Sequence, residues 1–247
     1  MTSTIPLPRV VSRDEWLAAR KALLAEEKSF TRARDALNAR RRELPAVALE
    51  KEYRFETARG AATLAELFEG RSQLIIYHFM FLREQNEGCP GCSYMADNVP
   101  HLAHFHARDT TFALVSRAPR AEIEPFRERM GWVLPWHSSY GSDFNYDFHA
   151  TTDEAVCPVE YNYRSKAELE ARGQTYHVSG EQPGISVFLR ARDRVLHTYS
   201  GYGRGLDLLI NTYNYLDLTP FGRGEAWGGM PDVGGMGKEW LRHHDRY

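Results

Sequence analysis

The sequence predicts an α/β protein with a long N-terminal helix, on three observations. A stretch free of glycine and proline runs from residue 13 to residue 44 with helical periodicity. Two apolar runs, QLIIYHFMF and TTFALVSR, have the composition of strands that are covered on both faces. Helical patterns alternate with these runs, and a predicted hairpin and final helix follow them. This order predicts a central mixed sheet flanked by helices.

The N-terminal helix begins at a predicted capping box. Ser12 and Glu15 have the spacing at which a hydroxyl and a carboxylate each bond the other residue's backbone amide. The helix extends about 45 Å at ~1.5 Å per residue and ends before Pro45. Its large apolar residues recur every seven positions, at Trp16, Leu23, Phe30, Leu37 and Leu44. This seam predicts either a homodimer through the helix or packing of the helix onto its own domain.

Pro45 marks the predicted domain boundary. Residues 1–45 form a helical extension, and residues 46–247 form the α/β domain with a Gly- and Pro-rich tail that starts at Thr219. Directly after the boundary, VALEKEYRFET alternates as a strand does. Thr63 and Glu66 then form a second capping box before a short helix, which Gly70 ends.

The bulk composition narrows the class of partner. The chain has 247 residues, 43% of them hydrophobic, and a net charge of −2, so it lacks the basic field that binds nucleic acid or anionic membranes. Its longest apolar stretch, Leu74–Leu82, is about half the length of a membrane-spanning helix. The first residues lack the pattern of a secretory signal. We expect a soluble, cytoplasmic protein with no cofactor and no nucleic-acid or membrane partner.

A CxxC motif carries the predicted chemistry. Cys89 and Cys92 follow a buried strand and open a helix, where free backbone amides stabilise a thiolate and lower the pKa of Cys89 from its usual ~8.5. Cys92 lies one turn on, where the two sulfurs can join. Cys89 is therefore the expected nucleophile and Cys92 the resolving cysteine. Pro90 and Gly91 suit the first turn of the helix and leave the sulfurs open to a substrate.

Two other interpretations of the cysteines stay open. The CxxC could hold zinc together with imidazoles such as His101 and His104, but no second CxxC accompanies it, and we predict no metal. Cys157 precedes Pro158 in a predicted loop. It is either a third redox partner or a partly exposed cysteine without a redox role. Three cysteines are too few for a secreted disulfide scaffold.

Long stretches of the chain resemble one family. They cover nearly the whole sequence and include LLAEEKSFTRARDAL, LAELFEGRSQLIIYHFMF, GCPGCS, GSDFNYDFH, PGISVFLR, HTYSGYGRGLDLL and RHHDRY. On these motifs the chain resembles the thioredoxin-like family called domain of unknown function 899, which is labelled a predicted dithiol–disulfide oxidoreductase.

The resemblance implies a thioredoxin-like fold in which Cys89 attacks and Cys92 resolves. It also implies a cis-proline loop that docks the substrate opposite the cysteines, and Pro183, just before GISVFL, is the matching residue. The stretch YRFETARGAATLAELFEGR is similar to the entry hairpin and helix of peroxiredoxins. Those enzymes place a threonine three residues before the reactive cysteine, where this chain has Asn86.

Three functions follow as hypotheses. The first is a thiol–disulfide oxidoreductase that exchanges disulfides with a protein or small-thiol substrate. The second is a thiol peroxidase, in which Cys89 becomes a sulfenic acid that Cys92 or Cys157 resolves. The third is a non-catalytic binding module of thioredoxin fold, whose thiols would be unreactive.

Overall fold

The computed structural model describes residues 7–223 and 240–247. Its strands are β1 Val47–Ala48, β2 Arg54–Thr57, β3 Gly60–Thr63, β4 Gln73–His78, β5 Phe81–Leu82, β6 Glu87–Gly88, β7 Thr110–Ser116, β8 Trp136–Ser138, β9 Thr151–Thr152, β10 Glu160–Tyr161, β11 Arg164–Ser165, β12 Gly180–Glu181, β13 Gly184–Ala191 and β14 Arg194–Tyr202. Its α-helices are α1 Arg13–Arg42, α2 Pro90–Asp97, α3 Leu102–His106, α4 Arg120–Arg129, α5 Phe144–Asp147, α6 Lys166–Ala171 and α7 Asn211–Leu216. Short 3₁₀ helices span Glu66–Phe68, Arg83–Gln85, Thr175–Val178, Gly203–Leu209 and His244–Arg246.

The main sheet has the strand order β1-β14-β13-β4-β7-β8-β2-β3. Strands β4, β7 and β8 are parallel, whereas β13 is antiparallel to both β4 and β14. A β4–α2–β7 crossover and a β13–β14 hairpin followed by α7 therefore meet at the β4–β13 pair. This is the connectivity of the thioredoxin fold, and it confirms the predicted mixed sheet flanked by helices.

Strand β4 divides the core into two clusters because its side chains alternate between the faces of the sheet. Ile75 and Tyr77 pack on the face that α2 covers. Leu74 and Ile76 pack on the opposite face, against aromatic side chains that include Phe144 of α5. Every residue of the neighbouring strand β7 is buried. The two apolar runs are thus central strands, as predicted.

Helix α1 lies largely uncovered. The Ser12 hydroxyl accepts a hydrogen bond from the Glu15 amide at 3.2 Å, but the Glu15 carboxylate pairs with Arg9, so only half of the predicted capping box forms. No residue of α1 is buried. The five seam residues remain between 45% and 61% exposed. The interpretation that this seam packs onto its own domain is therefore wrong.

Two further sequence expectations meet different outcomes. The final helix expected over residues 205–216 is divided, since a 3₁₀ segment ends at Leu209 and α7 starts only at Asn211. Ile210 between them has an extended backbone, which interrupts the helical hydrogen bonds. Most of the predicted Gly- and Pro-rich tail, residues 224–239, lies outside the described residues.

Within the described ranges, no helix combines the length and apolar character needed to span a bilayer.

Candidate active site

A short hairpin separates the central strand from the CxxC motif. Strand β4 ends at His78, and the chain then forms β5 and β6 before it reaches Cys89. The expectation that the motif directly follows the strand was wrong, because strands of two residues leave no periodic signal. The hairpin is tightly packed at Gly88. A Cβ there would lie 2.6 Å from the Phe126 ring and 2.7 Å from the Phe79 ring, so only glycine fits.

Cys89 is the N-terminal cap of α2 and is partly exposed. Its amide donates to the Met80 carbonyl at 3.0 Å, and its carbonyl accepts from the Ser93 amide at 2.8 Å. Pro90 occupies the first helical position, where its missing amide costs no intrahelical hydrogen bond. Gly91 leaves space above the nucleophile, since a Cβ there would approach the Cys89 Sγ no closer than 3.8 Å. Both intervening residues are partly exposed, as expected for a dithiol that meets a substrate.

Cys92 is the buried partner, with 1% of its surface exposed. Its Sγ accepts from the Met80 amide at 3.4 Å, and the side chains of Cys89 and Tyr77 both hydrogen-bond it. Burial raises the pKa of Cys92 well above its ordinary value, and the nearby Cys89 raises it further. The Tyr77 hydroxyl acts in the opposite direction. The pair is therefore asymmetric, with an outer thiol at a helix start and an inner thiol that stays protonated near neutral pH.

Two tyrosines flank the dithiol. Tyr77 belongs to β4, is 2% exposed, and its phenol contacts Cys92. Tyr176 comes from a distant 3₁₀ segment, is about half-exposed, and its hydroxyl contacts the Met80 sulfur at 3.9 Å. Burial, followed by the charges of Cys89 and Cys92, raises the pKa of Tyr176 to about 12. Both phenols therefore stay protonated and can donate hydrogen bonds at the site.

Pro183 immediately precedes β13, the strand that pairs with β4. It is partly buried, and its carbonyl accepts from the Tyr161 hydroxyl at 2.8 Å. The expectation of a cis bond at this proline is wrong, because every peptide bond of the described residues is trans. Here the chain passes from β12 through Gln182 and Pro183 into β13. A trans bond suits such a continuous run, whereas cis prolines typically occur in tight turns.

Cys157 and Asn86 lie in other environments. The Cys157 amide bonds the Asp153 carbonyl, and the pKa of this thiol is raised by burial and then by the charges of Asp147 and Asp153. Asn86 is exposed and adopts a left-handed backbone, φ 51°, at the end of a 3₁₀ turn. Across residues 7–223 and 240–247, no three His, Cys, Asp or Glu side chains gather where they could hold a metal ion.

The C-terminal segment 240–247 covers the loop that carries Cys89. The Nε2 atom of His243 hydrogen-bonds the Gly88 carbonyl at 2.7 Å, and the His243 side chain is 3% exposed. Arg246 and Arg129 both pair with Glu87 in the same loop. The Trp240 ring packs edge-on against Tyr94 of α2, 5.7 Å between centroids. The last residues thus fix both the loop and the helix around the motif.

Sequence reasoning missed the residues that surround the two cysteines. The alternation of β4 would have placed Tyr77 on the same face as Ile75, so a local signal existed for it. Tyr176 and His243 carry no such signal, because their contacts with Met80 and Gly88 span 96 and 155 positions of the chain. Their approach depends on the tertiary fold alone.

Several solved structures with likeness to the chain are peroxiredoxins. A PrxQ mutant from Xylella fastidiosa is 13% identical with a TM-score of 0.43, over 69% of this chain and 95% of that one. Peroxiredoxin Q from Xanthomonas campestris is 14% identical with a TM-score of 0.40, over 70% and 96%. Peroxidoxin BcpB from Mycobacterium tuberculosis is 13% identical with a TM-score of 0.39, over 70% and 97%. At such identities and TM-scores, these likenesses carry no inference about activity.

The sequence was also compared with curated proteins and with models of protein families. No curated protein matches the chain. A family model does match, over residues 5–247, which is nearly its full length. This chain belongs to the family described as bacterial protein of unknown function (DUF899).

Proposed function

We propose that the protein is a thiol–disulfide oxidoreductase, with Cys89 as the nucleophile and Cys92 as the resolving cysteine. One observation carries the proposal. A partly exposed thiol begins a helix and touches a fully buried thiol one turn later. A reagent from solvent can reach only the outer sulfur, and the inner sulfur is placed to displace whatever the outer one has bound.

The exchange proceeds in two steps. The Cys89 thiolate attacks one sulfur of a substrate disulfide, so that a mixed disulfide forms and the other substrate sulfur leaves as a thiolate. Cys92 gives its proton to that departing thiolate and attacks Cys89. The Cys89–Cys92 disulfide closes, and the second substrate sulfur leaves as a thiolate that takes its proton from solvent. The substrate gains two electrons, one proton from Cys92 and one proton from solvent, and the protein pair loses two electrons and the Cys92 proton. An external dithiol restores the reduced pair by the reverse exchange.

The surroundings of the two sulfurs support this division of roles. The free amides at the start of α2 stabilise negative charge on Cys89. Burial keeps Cys92 protonated, which prevents two thiolates from facing each other in the resting dithiol. When Cys92 attacks, the Tyr77 phenol donates a hydrogen bond to the thiolate that forms. Tyr77 is thus proposed as a positioning residue for the resolving step.

The proposed docking surface consists of the partly exposed residues around Cys89. Pro90 and Gly91 leave one side of the sulfur open, and the half-exposed Tyr176 offers an apolar ring with a donor at its tip. Pro183 is the sequence-based candidate for the opposite side. The proposed occupant of this surface is a disulfide on a flexible or unfolded protein segment, or in a small molecule.

The test is catalysed reduction of insulin disulfides by dithiothreitol, measured as turbidity. Wild-type protein should accelerate the reaction, Cys89→Ser should abolish the acceleration, and Cys157→Ser should retain it as the matched control. Cys92→Ser should accumulate a mixed disulfide between Cys89 and the substrate, visible by mass spectrometry. Wild-type protein no faster than Cys89→Ser would refute the proposal.

Two parallel measurements separate the remaining alternatives. Consumption of hydrogen peroxide with a thiol donor, without insulin reduction, would replace the proposal with a peroxidase. Thiols that resist iodoacetamide in the native protein would favour a binding module, because a nucleophilic Cys89 must react with a small alkylating reagent.

A further inference from the structure

The exposed seam of α1 has no role in the proposed chemistry. It consists of Trp16, Leu23, Phe30, Leu37 and Leu44, and we call it the α1 seam. Single apolar residues on a surface are ordinary, but here large side chains recur at three successive heptad intervals along α1, and Leu44 continues the spacing two residues past the end of the helix. None of them is buried, although the helix contains 30 residues. An isolated helix surface of this kind is typical of an interface.

Small residues beside the seam leave room for a second helix. Ala19 and Ala33 lie three positions after Trp16 and Phe30, on the same face of α1. The equivalent positions after Leu23 and Leu37 are Glu26 and Arg40, so small residues flank the seam beside Trp16 and Phe30 only.

The charges of α1 select the orientation of the pair. Its first turn is acidic, with Asp14 and Glu15, and its last turn is basic, with Arg40, Arg41 and Arg42. A parallel pair would place three arginines of one copy against three of the other. An antiparallel pair places each acidic turn beside the partner's basic turn, and it also opposes the two helix dipoles.

We propose that two copies of the protein form an antiparallel dimer through the α1 seam. Reversal of the helix about Phe30 maps the seam onto itself, because its residues are equally spaced. Phe30 then meets Phe30 of the partner subunit at the two-fold axis. Leu23 lies against Leu37 of the partner subunit, and Trp16 lies against Leu44 of the partner subunit.

The dimer would also alter a groove at the end of α1. Leu44 and Pro45 form part of the wall of a groove of about 630 Å³, together with Tyr163 and Tyr199. In the antiparallel pair, the partner's Trp16 reaches this wall and narrows the opening. A monomer leaves the same groove open.

Light scattering on the full-length protein tests the dimer. Wild-type protein at tens of micromolar should have twice the chain mass of 28.4 kDa. The double variant Leu23→Glu/Leu37→Glu should have the mass of one chain, and its fold should persist because both sites are about half-exposed. A control with two glutamates at exposed sites outside α1, Val133→Glu/Leu218→Glu, should remain a dimer. A monomeric wild type, or a seam variant that stays dimeric, would overturn the proposal.

Disulfide trapping tests the orientation. Leu23→Cys and Leu37→Cys are made separately in a chain without native cysteines (Cys89→Ser, Cys92→Ala, Cys157→Ser). After mixing and mild oxidation, the two variants should cross-link to each other, and neither should cross-link to itself. Self-linked products without the mixed product would indicate parallel helices and would overturn the antiparallel arrangement.

Discussion

The Tyr77 hydroxyl offers a graded test of how the buried cysteine works. Tyr77→Phe removes one oxygen from a ring that is 2% exposed and leaves the packing of the ring unchanged. The lost group is the phenol that hydrogen-bonds Cys92 and opposes the burial that raises the pKa of that thiol. The substitution should therefore raise the pKa of Cys92 further and weaken its thiolate.

The expected size follows from the strength of one buried hydrogen bond. A bond to a neutral partner contributes ~0.5–1.5 kcal/mol, and a bond to a charged partner ~1.5–3 kcal/mol. In the resting dithiol Cys92 is neutral, so loss of the hydrogen bond from Tyr77 destabilises the reduced form by about 1 kcal/mol. This corresponds to a reduction potential about 20 mV more negative. In the resolving step Cys92 carries charge, and a loss of about 1.5 kcal/mol slows the step roughly tenfold.

Two assays measure these effects. Equilibration with dithiothreitol redox buffers gives the potential, and the decay of a Cys89 mixed disulfide gives the resolving rate. Tyr53→Phe is the matched control, because Tyr53 is also buried and hydrogen-bonded, to Asp147, but packs in the other core cluster. It should change the free energy of unfolding without changing either redox quantity. An unchanged potential and an unchanged resolving rate in Tyr77→Phe would refute the role of the phenol.

Three further predictions concern stability and the loop that carries Cys89. Burial raises the pKa of Glu181 from 4.5 to about 7. The stability that the protonated Glu181 contributes is therefore lost as the pH rises from 4.5 to about 7. In urea unfolding, the free energy of unfolding of Glu181→Gln relative to wild type should rise by about 3 kcal/mol between pH 4 and pH 8. The exposed control Glu56→Gln should gain nothing comparable. Gly88→Ala should lower the free energy of unfolding by about 1–3 kcal/mol through overpacking. Gly91→Ala, whose new Cβ meets only an ordinary contact, should lower it much less. Equal decreases in the two variants would contradict the proposed overpacking at Gly88. His243→Gln, which removes the imidazole on the Gly88 carbonyl, should speed hydrogen exchange at the Cys89 amide, and exchange as slow as in wild type would show that the C-terminal segment does not hold the loop.

The placement of Cys89 and Cys92 could be predicted because the signals are local. An apolar strand, a proline at the first helical position and a spacing of one helical turn all lie within twenty residues. The hairpin of β5 and β6 escaped prediction, since two-residue strands have no period to detect. The position of Pro183 at the start of β13 could be anticipated from the adjacent apolar run, whereas its trans bond could not.

Contacts between residues far apart in the sequence could not be predicted. Nothing in the chain near Tyr176 or His243 indicates that either residue reaches the CxxC loop, because such contacts depend on the arrangement of strands in the sheet. Helix α1 illustrates the opposite case. The sequence predicted the heptad seam of α1, but periodicity alone could not decide whether the helix packs on the domain of the same chain or remains exposed. The exposure of Phe30 and its four companions settled that choice.

The proposed chemistry requires that the outer and inner sulfurs of the CxxC interconvert reversibly between dithiol and disulfide. Equilibration of the full-length protein across dithiothreitol redox buffers, followed by alkylation and peptide mass spectrometry, measures this interconversion. We expect a single two-electron transition in which Cys89 and Cys92 become joined to each other while Cys157 remains alkylated. A chain in which the Cys89–Cys92 disulfide never forms, or in which Cys89 joins Cys157 instead, would contradict it.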